Sequence, residues 1–136
     1  MVNAAEAYKR QQILTATPEA LTLMLYNGCL KFMNEGKDAI ETKQYEQANI
    51  SLQKAQNIIS EFRLTLNMEY DIAKQLMPLY NYTYDRLIEG NLKSDTAMIQ
   101  EGIDIIKELR EAWAQAMKKA RQEKGTNNVQ GDSYVG

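Results

Sequence analysis

The side chains that carry most enzyme chemistry are scarce in this 136-residue sequence, which has one cysteine, Cys29, and no histidine. Histidine is the usual general base near neutral pH and the commonest metal ligand, so nucleophilic triads and histidine-bearing metal or haem sites lack their central residue. A histidine-free hydrolase would need a carboxylate pair or a serine–lysine pair, and no spacing in the chain singles one out. We therefore predict that the protein is not an enzyme and that it binds no cofactor and no metal.

Cys29 itself is flanked at helical spacing by apolar residues, which favours a buried structural thiol over a nucleophile. A single cysteine also excludes a disulfide within the chain, as suits the reducing cytosol. The N-terminal segment lacks the apolar core of a signal peptide, and no apolar run approaches the length of about 18 residues that a membrane span needs. The sequence therefore predicts a cytosolic protein with no membrane insertion.

The charged residues give little reason to expect a nucleic-acid partner. Sixteen basic and 18 acidic side chains leave a net charge of −2, and no basic face is dense enough to follow a phosphate backbone. A cationic cluster near the C-terminus is typical of a helix C-terminus, where positive charge is favourable. It consists of Lys118, Lys119, Arg121 and Lys124.

One very apolar helix is predicted from Thr17 to about Ile40, and it makes partner binding the first hypothesis for the function of the protein. At about 100° per residue its apolar side chains form two adjacent stripes. The first stripe consists of Leu21, Met24, Leu25, Gly28, Cys29 and Phe32; the second stripe consists of Leu23, Tyr26, Leu30 and Met33. Together they span roughly 260°, whereas a helix packed on one core needs an apolar arc of about 100°. Large exposed apolar patches mark interaction sites, so we predict that the second stripe is exposed and binds a partner.

Three more helices are predicted from their apolar spacing, over about 45–67, 72–91 and 95–124. Pro78 interrupts the third, where we expect a kink, the alternative being a helix that begins only near Met77. The third helix should end at Gly90 and Asn91, either of which can take a left-handed C-cap conformation. Short turns force antiparallel neighbours, so the predicted fold is all-α, an antiparallel up-down-up-down four-helix bundle over residues 17–124.

The two ends of the chain fall outside this repeat. Residues 1–16 are mostly polar and carry Tyr8, Ile13 and Leu14 at spacings too sparse for a long amphipathic helix. This segment is either a frayed tail or a displaceable lid over the exposed stripe. Residues 125–136 are polar and aperiodic, and we predict that they form a disordered tail.

A series of short motifs runs in one register over residues 8 to about 120. They are Tyr8, T-A-T-P at 15–18, L-x-L-M-L-Y-N-G at 21–28, K-A-Q-N-I-I at 54–59, L-Y-N-Y-x-x-x-R-L-I at 79–88, Asn91 and E-L-R-E-A-W at 108–113. Together they resemble the FliS family of flagellin export chaperones. The chain departs from the family pattern at Pro78, where no proline is expected, and at Gly90, where alanine is usual.

The resemblance implies a cytosolic four-helix bundle that binds the C-terminal segment of newly made flagellin. Such a chaperone prevents premature polymerisation of its client and keeps it competent for flagellar type III secretion. The resemblance also implies that the N-terminal segment, marked by Tyr8, covers part of the client groove, and it leaves contact with the flagellar export gate open. We expect client contacts from the second stripe, namely Leu23, Tyr26, Leu30 and Met33, and from Tyr82, with Ile13 and Leu14 joining Tyr8 in the lid.

The alternative is a structural bundle that homodimerises through its first helix and has no client. The oligomeric state without added peptide distinguishes the homodimer hypothesis from the chaperone hypothesis, because association follows mass action. A dimer should bury the second stripe without any added peptide, whereas a chaperone should stay a monomer or a weak homo-oligomer until its client arrives.

Overall fold

The computed structural model describes residues 3–135, with side chains as far as Gly125. Five α-helices follow one another: α1 (Ala4–Thr15), α2 (Pro18–Glu41), α3 (Tyr45–Thr65), α4 (Asp71–Lys93) and α5 (Thr96–Val135). The all-α prediction is confirmed, and no strand occurs within residues 3–135. The tail predicted to be disordered, 125–136, lies almost wholly outside the residues whose side chains are described, and it stays a prediction.

Helices α2 and α3 pack side by side in opposite directions. Gly28 lies against Ile58, and Gly36, two turns further along α2, lies against Leu52, which is earlier in α3. The turn between the two helices is only three residues long, so it can join only antiparallel neighbours.

Helix α5 closes the bundle by packing on α2 as well as on α4, while α3 and α4 pack on each other. The indole Nε1 of Trp113 donates a hydrogen bond of 3.0 Å to the carbonyl of Glu19 at the start of α2. Towards the other end, Lys37 Nζ donates to Gln100 Oε1 at 2.8 Å. These contacts join the last helix to the first helix of the bundle, as the predicted up-down-up-down arrangement requires.

The start of α2 is the best predicted boundary. Thr17 has an extended backbone, and its Oγ1 accepts a hydrogen bond of 3.2 Å from the backbone N–H of Ala20. Pro18 occupies the first helical position, where its missing N–H costs nothing.

Helix α4 begins where it was predicted to begin but ends later than predicted. It begins at Asp71 and continues through Pro78, so the alternative start near Met77 is wrong. It also continues through Gly90 to Lys93, and the residue in the left-handed conformation is Ser94, with φ of 51°. Gly90 has another purpose: a Cβ atom there would lie 2.6 Å from Cδ1 of Ile99, so the glycine lets α5 approach α4 closely.

Helix α1 was not predicted from the spacing of its apolar residues. Asn3 begins it, because the Asn3 side-chain oxygen accepts a hydrogen bond of 2.9 Å from the backbone N–H of Ala5. No residue of α1 is buried, so local capping, and not an apolar face, accounts for this helix.

The core draws on all four bundle helices. Its largest fully buried apolar side chains are Met33, Leu52, Ile59, Leu87, Ile99 and Ile106. Cys29 is also fully buried, as predicted, and burial raises the pKa of its thiol to about 12. A thiol with this pKa is not a nucleophile at neutral pH.

Two glycines of α2 give a matched test of this packing. A Cβ at Gly36 would lie 2.5 Å from Cδ2 of the fully buried Leu52, whereas a Cβ at Gly28 would lie 3.6 Å from Ile58, an ordinary contact. Gly36→Ala should therefore lower the free energy of unfolding by about 1 to 3 kcal/mol through overpacking. Gly28→Ala should raise it by about 0.5 to 1 kcal/mol, because alanine favours the helix. Urea unfolding followed by circular dichroism measures both, and equal shifts in the two variants would contradict the α2–α3 register.

Candidate interaction surface

The second stripe of α2 is not the exposed surface that its apolar character suggested. Tyr26, Leu30 and Met33 are only 4%, 7% and 0% exposed, and Leu23 is half-buried. The expected exposure of this stripe is therefore wrong for three of its four members. The physical reason is that α2 packs on two neighbours, α3 and α5, so its wide apolar arc is covered inside one chain.

Tyr26 belongs to a buried aromatic stack that joins three helices. The ring of Phe62 lies between Tyr26 and Tyr80, at centroid distances of 4.5 Å and 5.3 Å. The hydroxyls of Tyr26 and Tyr80 share a hydrogen bond of 2.6 Å. Burial raises the pKa of both tyrosines above the ordinary value, so both stay protonated at neutral pH. This stack stabilises the fold and is inaccessible to a partner.

Large apolar side chains do remain exposed where α2 begins, α3 ends and α4 begins. Because the helices alternate in direction, these segments meet at one end of the bundle, which we call the apolar end. Its exposed members are Leu21, Leu64, Met68, Tyr70 and Ile72. Apolar periodicity predicts packed positions for Leu21 and Ile72. It makes no prediction for Met68 and Tyr70, because they lie in the connection between α3 and α4.

The apolar end continues along one side of α4. Ile72, Leu79 and Tyr82 lie within about 80° of arc on that helix, and all three are exposed. We call these three residues the α4 face. Tyr82 is 46% exposed, which confirms the expectation that it points away from the core.

The hydroxyl of Tyr82 is held by a polar contact with α5. It donates a hydrogen bond of 2.8 Å to Glu101 Oε2, and this bond to a carboxylate raises the pKa of Tyr82. The ring of Tyr82 therefore stays exposed while its hydroxyl links α4 to α5.

The residues proposed for a lid are also exposed. Tyr8, Ile13 and Leu14 lie on α1, and none of them is buried against the bundle. Helix α1 therefore buries no side chain against the bundle, and the lid stays a prediction.

Within the described part of the chain, no group of three or more cysteine or acidic side chains is arranged to hold a metal ion. No described helix is both long enough and apolar enough to cross a membrane.

Comparison with known proteins points to one family. The family model described as "Flagellar protein FliS" matches residues 1–120. The chain is 43% identical over 122 residues to the Flagellar secretion chaperone FliS of Bacillus subtilis, covering 90% of this chain and 92% of the relative. It is 33% identical over 121 residues to the protein of the same name from Vibrio cholerae, covering 85% and 89%. Both relatives are named as chaperones and not as enzymes.

The fold is similar to that of a solved structure titled "Crystal structure of flagellar chaperone from bacteria". The TM-score is 0.70 at 19% sequence identity, and the match covers 86% of this chain and 99% of the other. At this identity the likeness supports the fold alone.

The tyrosine pair yields a prediction that separates a structural role from a binding role. Tyr26→Phe removes one hydroxyl and leaves that of Tyr80 buried without its partner, so the free energy of unfolding should fall by about 1 to 2 kcal/mol. The double variant Tyr26→Phe, Tyr80→Phe should lose less than Tyr26→Phe alone, because no buried hydroxyl is then left unpaired. Chemical denaturation of the three chains tests this, and a double variant that loses as much stability as Tyr26→Phe, or more, would contradict the coupling.

Proposed function

The chain belongs to the FliS family, and from that premise we propose that it is a cytosolic flagellar export chaperone that binds the C-terminal segment of flagellin. By holding this segment the chaperone prevents premature polymerisation and keeps flagellin competent for flagellar type III secretion. Membership of this flagellar secretion chaperone family rests on the family match and on relatives that are 43% and 33% identical.

The observation that carries the proposal is the exposed apolar surface formed by the apolar end and the α4 face. Exposed apolar side chains grouped at one end of a bundle and along one helix are typical of an interaction site. Helix-in-groove recognition suits such a surface, because an amphipathic client helix can lay its apolar side along it. A flagellin segment that lacks its filament neighbours would present such an apolar side.

This proposal moves the client site from α2 to α4. Tyr26, Leu30 and Met33 cannot contact a client unless the core opens, because they are buried between α2 and its neighbours. Leu23, which is half-buried, and Tyr82 remain accessible and keep their proposed role. Ile72 and Leu79 join them.

A chain that homodimerises through α2 has little support, since α3 and α5 already cover the apolar stripes of that helix. Self-association through the apolar end is a separate outcome, and light scattering with and without a flagellin C-terminal peptide distinguishes it. The proposal expects a monomer or a weak homo-oligomer that forms a one-to-one complex with peptide.

A pair of substitutions on α4 tests the client surface. Ile72→Asp places a carboxylate on the α4 face, where an apolar client would desolvate it, so affinity for the flagellin C-terminal peptide should fall roughly tenfold or more. Leu92→Asp is the matched control on the same helix, at the opposite end of the bundle, where the side chain is 80% exposed. It should leave affinity unchanged, and both variants should keep the wild-type helical signal.

Isothermal titration calorimetry with the peptide measures these affinities, and it can include Leu30→Asp, which should unfold the bundle because Leu30 is a core residue. The client surface is wrongly placed if Leu30→Asp folds normally and loses binding while Ile72→Asp binds like wild type.

The proposed lid gives a kinetic prediction. If α1 competes with the client through Tyr8, Ile13 and Leu14, a chain that begins at Thr15 should associate with peptide at least about twofold faster, since a groove closed half of the time halves the apparent rate. Tyr8→Ala should give an intermediate rate. Stopped-flow measurements on the three chains test this, and identical rates would show that α1 is an inert segment.

A further inference from the structure

Helix α5 extends past the start of α2. The hydrogen bond from the Trp113 indole to the carbonyl of Glu19 places Trp113 beside the first turn of α2. Because α5 runs antiparallel to α2, its later residues lie beyond the end of that helix. At a rise of 1.5 Å per residue, Lys124 lies about 16 Å further along α5 than Trp113. The core-facing side of α5 is therefore only partly covered over its last turns with described side chains.

A cleft of about 520 Å³ opens between these turns of α5 and the first turn of α2. We call it the α2–α5 cleft. Its apolar lining consists of Ala20, Met117 and Ala120. Met117 follows Trp113 by four residues and so lies on the same side of α5, where it is half-buried, whereas Ala120 is exposed. The volume is within the range of clefts that bind ligands.

Cationic side chains surround the open side of the cleft. Arg121 and Lys124 belong to its lining, and Lys118 lies about 60° from Arg121 around the helix. Among the described side chains, none of these three forms an ion pair. Glu19 is the only acidic residue in the described lining, and it lies in the first turn of α2, where the helix dipole favours it.

The end of a helix does not account for this positive charge. Basic side chains are favourable in the last turn of a helix, but α5 continues beyond Lys124. Uncompensated cations beside an exposed apolar wall are instead suited to a ligand that is both apolar and acidic.

We propose that the α2–α5 cleft binds an acidic, amphipathic segment of the client polypeptide. An apolar client side chain packs against Met117, and a client carboxylate pairs with Arg121 or Lys124. Leu21, a member of the apolar end, directly follows Ala20 of the cleft, so the cleft adjoins the proposed client surface. The inference rests on the proposed function and adds selection by charge to a surface that otherwise selects apolar side chains.

Charge distinguishes this occupant from two others that could reach the cleft. Helix α1 is joined to α2 by two residues, but it carries one acidic and two basic side chains, Glu6, Lys9 and Arg10. A second copy that docked cleft to cleft would bring two cationic rims together. Like charges repel in both cases, whereas a client carboxylate is attracted, and more strongly at low salt.

Arg121→Glu tests the cationic rim. Reversing this charge replaces attraction by repulsion, so affinity for the flagellin C-terminal peptide at low salt should fall roughly threefold to tenfold. Arg121→Lys keeps the charge and should bind like wild type. Lys119→Glu is the matched control, because it changes the net charge equally but lies about 160° from Arg121 around α5, and it should leave affinity nearly unchanged. Isothermal titration calorimetry measures all four chains.

Met117→Asp tests the apolar wall. A carboxylate there would be desolvated by the client's apolar side chain and would repel its acidic group, so affinity should fall roughly tenfold or more. Met117→Leu keeps the wall apolar and should bind like wild type. Circular dichroism should show the wild-type helical signal for both variants, since Met117 lies beyond the start of α2.

The same measurements distinguish the possible failures. If Arg121→Glu and Lys119→Glu have equal affinities, the cleft does not select charge and the inference is overturned, while binding by the wild-type chain still supports the proposed function. If Met117→Asp speeds peptide association as much as a start at Thr15 does, α1 is the occupant. If light scattering shows a wild-type dimer that Met117→Asp abolishes, a second copy is the occupant, and either result overturns the inference. A wild-type chain that does not bind the peptide overturns the proposed function itself.

Discussion

The packing of α2 between α3 and α5 is the constraint on which the rest of this structure depends. It buries Tyr26, Leu30 and Met33 from one stripe and Cys29 from the other. A helix with two covered sides needs a wide apolar arc, so the arc itself is no sign of a missing partner. Once α2 is enclosed, the surface left for binding is the apolar end and the α4 face.

The features that could be predicted from the sequence are those that local chemistry controls, namely helix starts and helix positions. Thr17 and Pro18 have one low-energy arrangement, an N-cap followed by the first helical position, and α2 begins there. Apolar periodicity likewise placed the four bundle helices, because a core-facing stripe repeats with the helical period. The angular width of an apolar stripe does not show how many neighbouring helices will cover it. For this reason the exposure predicted for Tyr26, Leu30 and Met33 is wrong.

Features that depend on contacts between distant residues could not be predicted in this way. Gly90 is of a residue type that is common at helix C-caps. Its role in this structure is to leave room for Ile99 of α5, which packs against it. The hydrogen bond between Tyr26 and Tyr80 joins residues 54 positions apart.

Amide hydrogen exchange of the full chain, with and without a flagellin C-terminal peptide, tests the central claim most directly. The account predicts new protection in the connection between α3 and α4 and in the first half of α4, around Ile72 to Tyr82. Residues Tyr26 to Met33 should exchange slowly in both states, because they are core in the free chain. Slowing confined to Tyr26 to Met33, with no change in α4, would contradict the account.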